Sequence, residues 1–199
     1  MSDLFEEKAQ DWDVNNMVLQ LSSGISRAIL NNVKLHADMQ VMDFGAGTGL
    51  ISGHIAPEVK KITAVDISES MLQQLEQKPE LQGKVDTVCQ DILEQSLNQK
   101  FDIIVSAMAM HHVEDTAKMM QRFAEHLLEG GELALADLDK EDGTFHPPGI
   151  EGVYHDGFER DELEKLMLDA GFSSIKFVTA HTVDKEGKEF PVFLVTAKK

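Results

Sequence analysis

The spacing of apolar side chains changes period several times along the chain. From Val14 to Ala28 they recur at Val14, Met17, Val18, Leu21, Ile25 and Ala28, which predicts an amphipathic helix ahead of any strand. Strand-length apolar runs follow at Val41-Met42, Ile62 to Val65, Val85 to Val88, Phe101 to Val105 and, from Glu132 to Asp137, the start of a fifth. Between them Thr48 to Ala56 and Ser68 to Gln77 read as helices stopped by Pro57 and Pro79, with Met71 and Leu72 facing inward. The unbroken run at Phe101 to Val105 is what a strand buried on both faces of a parallel sheet requires. Asp115 is placed to cap a helix carrying Met120, Phe123, Ala124 and Leu127, with Gly130-Gly131 expected to end it. Leu163, Leu166, Met167 and Ala170 mark a last helix ended by Gly171. Ile175 to Thr179 and Phe190 to Thr196, joined by a turn at Lys185-Glu186-Gly187-Lys188, predict an antiparallel hairpin at a sheet edge. Strand and helix alternate throughout, which is the pattern of an α/β domain, and no repeat or break in composition divides the chain.

Chemistry enters where the first apolar run meets glycine, in Val41-Met42-Asp43-Phe44-Gly45-Ala46-Gly47-Thr48-Gly49-Leu50. Strand, glycine loop and helix in that order form a cofactor loop, because glycine lets backbone N–H groups come close to a ligand. The dinucleotide fingerprint is G-x-G-x-x-G, whereas here the third glycine comes one residue early and Asp43 stands two positions before the first. That acid suits a cofactor with a cationic amino group better than a pyrophosphate. The next run ends in Asp66, where an acid can accept both hydroxyls of a ribose or, with Ser68 following it, serve only as a turn or helix cap. The third run leads into Cys89-Gln90-Asp91-Ile92.

With these residues the sequence resembles the class I S-adenosylmethionine-dependent methyltransferases over about residues 10 to 199. The resemblance implies an α/β, Rossmann-like, seven-stranded, mostly parallel sheet with a C-terminal antiparallel strand and helices on both faces. It implies a helical segment at 1–38 covering the cofactor site of a methyltransferase domain at 39–199. It implies S-adenosylmethionine as cofactor, with S-adenosylhomocysteine as product, held by Asp43, Gly45, Ala46, Gly47, Asp66, Ile67, Met71, Asp91, Ile92 and Ala107. An acid at Asp91 would accept from the adenine amino group, with the next residue packed by the ring. Phe5 and Trp12 either anchor the N-terminus on the core or, as the resemblance implies for Trp12, help cover the methyl donor.

A formal charge of −17 argues against nucleic acid or anionic lipid as partner, since an acidic body repels both, and so favours a small-molecule substrate. Cys89 is the only cysteine, so no internal disulfide forms, and next to a strand end it reads as a small buried hydrophobe. Without a signal-like or membrane-length apolar stretch, a cytoplasmic monomer or homodimer is expected.

Methyl transfer from a sulfonium needs no acid to expel the leaving group, so only the acceptor calls for a base. Ser106 to Val113 carries His111 and His112 where the fourth strand should reach the site. Gly143 to Phe158 holds Pro147-Pro148, His146, Tyr154, His155 and Asp156 in the longest aperiodic stretch, and is read as a substrate lid. The candidate catalytic residues are therefore His146, His155, Tyr154 and His111. A metal site using these histidines with Asp137 and Asp139 lacks close-spaced ligands, and none is expected. Two alternatives stand beside methyl transfer: a non-catalytic S-adenosylmethionine-binding protein and a nicotinamide-dinucleotide oxidoreductase.

Overall fold

A computed structural model describes Asp3 and residues 5–199; Leu4, grouped with Phe5 and Trp12 as an N-terminal apolar residue, lies outside them. A short helix α1 (Glu6–Ala9) and a 3-10 turn at Trp12–Val14 precede α2 (Asn16–Asn32). Then come β1 (Gln40–Phe44), α3 (Leu50–Ile55), β2 (Lys61–Asp66), α4 (Glu69–Glu76), β3 (Val85–Cys89), β4 (Phe101–Ala107), α5 (Thr116–His126), β5 (Leu127–Leu138), α6 (Arg160–Asp169), β6 (Ser173–Lys185) and β7 (Lys188–Lys198). The strands form one seven-stranded sheet in the order β3-β2-β1-β4-β5-β7-β6. Only β7 runs against its neighbours, pairing antiparallel with both β5 and β6.

Alternation along the strands assigns the two faces. Val41, Ile62, Ile103 and Val105 pack with Leu21, Ile25 and Ile29 of α2, Ile51 and Ile55 of α3, and Leu72 and Leu75 of α4. Met42, Val65, Ile104, Leu133, Leu135 and Phe193 turn to the opposite face, beneath Met119, Met120 and Phe123 of α5 and Leu163 and Met167 of α6. Chain order reverses at β1, whose neighbours are β2 on one side and β4 on the other. In a sheet of this kind a ligand crevice opens outside the carboxyl ends of the strands at that point.

Several local expectations are corrected. The buried stripe of α2 is Leu21, Ile25 and Ile29, while Val14 is 73% exposed and Met17 is exposed, because Asn15 accepts the N–H groups of Met17 and Val18 and starts the helix after Val14. Helix α3 begins at Leu50 rather than Thr48, and Pro57 sits inside a 3-10 turn at Ala56–Glu58. Helix α5 stops at His126, four residues before Gly130-Gly131. Those glycines fall within β5, where its pairing with β4 shifts register between Phe101 and Ile103. Cys89 is exposed, since β3 is an edge strand.

Candidate functional site

Each glycine of the loop after β1 has its own reason to lack a side chain. A Cβ on Gly45 would lie 2.3 Å from the Cβ of Ala109, so this glycine lets the β1 and β4 loops touch. A Cβ on Gly49 would lie 2.7 Å from Cγ of Leu75, so this one lets α3 start against α4. Gly47, at φ 54°, has nothing within 4 Å of where a Cβ would stand: its open side is the floor of the cleft. The loop is tied to β2 by hydrogen bonds from the N–H groups of Gly45 and Ala46 to the Val65 carbonyl, at 2.8 and 3.2 Å.

Asp66 fixes the same loop from the end of β2. Its Oδ2 accepts the N–H of Gly47 at 2.8 Å and its Oδ1 that of Ser68 at 2.9 Å. Burial raises its carboxyl above the usual range, with those two N–H groups opposing. Asp43 lies beneath, 1% exposed, and accepts the Ser52 hydroxyl at 2.6 Å. Burial pushes its carboxyl up to about 7, against the pull of Ser52 and with a contribution from the Asp66 charge. Around the cleft Ile67 stands 64% exposed and Ala107 is half-buried. Asp91 is exposed and its carboxylate accepts the N–H of Leu93, whereas Met71 and Ile92 are buried in the core.

The N-terminal segment is strapped across this cleft. The Asp3 carboxylate accepts from the Ser68 hydroxyl and from both the N–H and hydroxyl of Ser70. Asp13 accepts the Thr48 hydroxyl at 2.6 Å and pairs with Lys78 at 2.6 Å. Phe5 presents its edge or face to Trp12 at 6.3 Å and to His112 at 5.4 Å, linking the strap to the second half of the site.

That second half is a cluster of imidazoles at the carboxyl ends of β4 and β5. His111 donates from Nδ1 to Asp137 at 2.8 Å and its backbone N–H reaches the other oxygen of the same carboxylate at 3.1 Å. Both residues are buried. The rings of His112 and His146 lie 4.1 and 4.9 Å from that of His111. Burial would raise the Asp137 carboxyl, but His111 and the N–H of Leu138 outweigh it and hold the group below its ordinary value. Burial, and then the neighbouring His111, push His112 and His146 each down to about 4, so both are neutral imidazoles at pH 7.

Residues 143–158 cover this cluster through backbone as well as side chains. The N–H groups of Tyr154 and His155 meet the His111 carbonyl, and His112 Nδ1 donates to the carbonyl of Gly152 at 2.6 Å. His155 donates from Nε2 to the Val113 carbonyl at 2.9 Å, and Tyr154 is 54% exposed. His111 and His146 are thus brought together, while His155 is bonded to backbone and Tyr154 faces outward. Sequence reasoning missed the pairing of Asp137, named there only as a metal ligand. Asp137 stands one residue before the end of an apolar strand, as Asp43 does, and Asp66 ends one. Its companion Asp139 is held by Arg160 through two bonds of 2.7 Å.

Comparison with known proteins gives the family. A model described as a methyltransferase domain matches residues 41–131. An uncharacterized methyltransferase of Geobacillus sp. (strain WCH70) is 30% identical over 161 residues, which cover 73% of this chain and 75% of the relative. The chain belongs to the class I S-adenosylmethionine-dependent methyltransferases. An uncharacterized methyltransferase of Schizosaccharomyces pombe is 29% identical over 177 residues, covering 80% of this chain and 62% of that protein. For other curated methyltransferases matched the share is 55%, so the chain spans roughly three fifths of the length of these relatives. Among solved methyltransferases the N-methyltransferase NodS of Bradyrhizobium japonicum, in complex with S-adenosyl-l-homocysteine, shares the fold with a TM-score of 0.73 at 18% identity, over 99% of this chain and 94% of that one. No helix of the described residues is long and apolar enough to cross a membrane.

Proposed function

We propose that this methyltransferase binds S-adenosylmethionine in the cleft over Gly47 and methylates a small-molecule acceptor held over His111, His112 and His146. The carrying observation is the pairing of an open glycine floor with a carboxylate beside it: Gly47 has room where its Cβ would be, and Asp66 holds that loop open. The donor set fits the group. Asp66 can still accept ribose hydroxyls through its free lone pairs, and the buried carboxyl of Asp43 favours a cationic neighbour over an anionic one. The exposed face of Ile67 offers an apolar wall, and Asp91 stands at the same end of the sheet. Strap residues Trp12 and Asp13, within the helical segment at 1–38, cover the opening.

S-adenosylmethionine would supply an electrophilic methyl on a sulfonium whose departure needs no acid. This chain's residues then have to exclude water, place the acceptor and manage its proton. The segment at 143–158 acts as lid, with its Phe145 buried and its His146 turned to the imidazole cluster. Asp137 orients His111 by accepting a hydrogen bond from its Nδ1. The charge of −17 supports a small acceptor rather than nucleic acid. The test is methyl release from labelled S-adenosylmethionine to a panel of thiols, phenols, amines and carbon acids. Transfer to a member of the panel supports the reading. Tight cofactor binding with no transfer to any of them favours the non-catalytic alternative.

A further inference from the structure

Two buried polar atoms, one in the lid and one just before it, have no hydrogen-bond partner among the described residues. The turn at 141–146 is built on Glu141, whose Oε2 accepts the N–H groups of Thr144 at 2.8 Å and Phe145 at 3.1 Å. Its other oxygen, Oε1, is buried and unpartnered, and so is Nδ1 of His146 five residues on. Leaving a buried carboxylate oxygen without a donor costs about 1–3 kcal/mol or more, so a chain retains one where something else supplies the donor. The two groups belong to one neighbourhood: the Glu141 charge acts on the His146 ring, which lies 4.9 Å from that of His111 above Asp137.

The nearby cations already have partners. Lys185 donates to the Phe145 carbonyl with its Nζ 5.0 Å from the Phe145 ring centre, Lys188 pairs with Asp142, and Arg160 is taken by Asp139. An anionic acceptor would therefore meet two carboxylates, Glu141 and Asp137, whose charges both act on the His146 ring. A ligand rich in donors and able to bear positive charge is favoured by both carboxylates, against the Lys185 charge that also acts on the His146 ring.

We propose that the methyl acceptor is an amine, held by N–H bonds to Glu141 Oε1 and His146 Nδ1. The proposal rests on the reading of this cleft as the acceptor site of a methyltransferase. A primary amine, bound as the neutral form after its ammonium has given a proton to solvent, has two N–H groups for these two atoms and keeps its lone pair for the methyl carbon. As the N–C bond forms from that lone pair, the S–C bond breaks with its electron pair left on sulfur, and the positive charge passes from sulfur to nitrogen. No proton moves in this step; the methylated ammonium keeps its protons until it has left and solvent takes one. An alcohol or thiol must surrender its only X–H proton to give a neutral product. The weakly basic imidazoles of His112 and His146 are poor recipients for it. Glu141 and Asp137 meanwhile favour the cationic product of an amine.

The experiment titrates the full chain, preloaded with S-adenosylhomocysteine, with phenethylamine and benzylamine and with the alcohols and thiols of the same skeletons, by calorimetry. The amines should bind and the alcohols and thiols should not. Glu141→Gln keeps an oxygen for the Thr144 and Phe145 N–H groups and turns the unpartnered acceptor into a donor. It should weaken the amines about tenfold or more, the size of one hydrogen bond to a charged group, with S-adenosylhomocysteine affinity and melting temperature unchanged. Asp142→Asn removes the same charge one residue away, on the surface, and should leave amine affinity as it is. Equal binding of alcohol or thiol, unchanged amine affinity in folded Glu141→Gln, or no amine binding to the loaded protein overturns the proposal. Should wild type fail to bind S-adenosylhomocysteine at all, it is the methyltransferase reading that falls, and the proposal with it.

Discussion

The carboxylate of Asp66 accepts the backbone N–H of Gly47 at 2.8 Å, so the acid ending β2 holds the glycine loop that follows β1. One side chain thus serves two ends: it shapes the floor of the cleft and keeps lone pairs for a ligand. Asp66→Ala should lower S-adenosylhomocysteine affinity by about ten- to a hundredfold, the loss of one or two hydrogen bonds to a charged acceptor. Asp66→Asn, which keeps one oxygen for Gly47, should lose less. Calorimetry on both folded variants checks this order, and equal affinity in all three proteins would remove Asp66 from the cofactor site.

Alanine at Gly47 and at Gly49 should have opposite consequences. At Gly47 it meets open space and pays only for the left-handed backbone, about 1–2 kcal/mol, while its methyl intrudes on the cleft. At Gly49 it collides with Leu75 and carries the same backbone strain, so stability should fall by a further 1–3 kcal/mol or so. Melting curves paired with binding titrations should show Gly47→Ala folded and weak in binding, and Gly49→Ala chiefly unstable.

How far the sequence disclosed this arrangement depends on the range of the contacts. Strands, helices and the glycine loop were legible because their signals are local: period, caps and turn residues lie within a few positions of one another. Asp43 and Asp66 stand out in the sequence because each ends or nearly ends a strand that the pattern marks. The pairing of His111 with Asp137 spans 26 residues and depends on the register of β4 with β5, which no local pattern carries. No local pattern around Glu141 marks its carboxylate oxygen as buried. Cys89 was misplaced for a related reason, since a strand's own residues do not say whether it lies at the edge of the sheet.

Asp43 should make the ligand-free protein less stable as pH rises. Its folded-state carboxyl titrates near 7 against an ordinary 3.8, so its contribution is complete below about pH 4 and is lost as pH climbs through about 7. Asp43→Asn keeps an oxygen for the Ser52 hydroxyl and carries no charge. It should melt above wild type at pH 8, by an amount on the order of a few kcal/mol, with the gap closing towards pH 5. A gap that stays constant over that range would show that the buried acid does not titrate there.

His112 acts in the opposite direction. Its folded-state value near 4 lies below the ordinary 6.5, so the stability it contributes is present above pH 6.5 and lost as pH falls through 4. His112→Asn places an amide N–H where Nδ1–H meets the Gly152 carbonyl, without the titration. Chemical denaturation at stepped pH should show a shallower decline for the variant than for wild type between pH 6.5 and 4. Identical slopes would mean that His112 is not held neutral by its burial.

All of this turns on whether the cleft over Gly47 takes the methyl donor. A calorimetric titration of the wild-type chain with S-adenosylhomocysteine, alongside one with a nicotinamide dinucleotide, measures that directly. The account predicts a saturable one-to-one isotherm for S-adenosylhomocysteine, lost in Gly47→Val, and none for the dinucleotide. Absence of S-adenosylhomocysteine binding to the folded wild-type protein, or an isotherm that Gly47→Val leaves untouched, would contradict it.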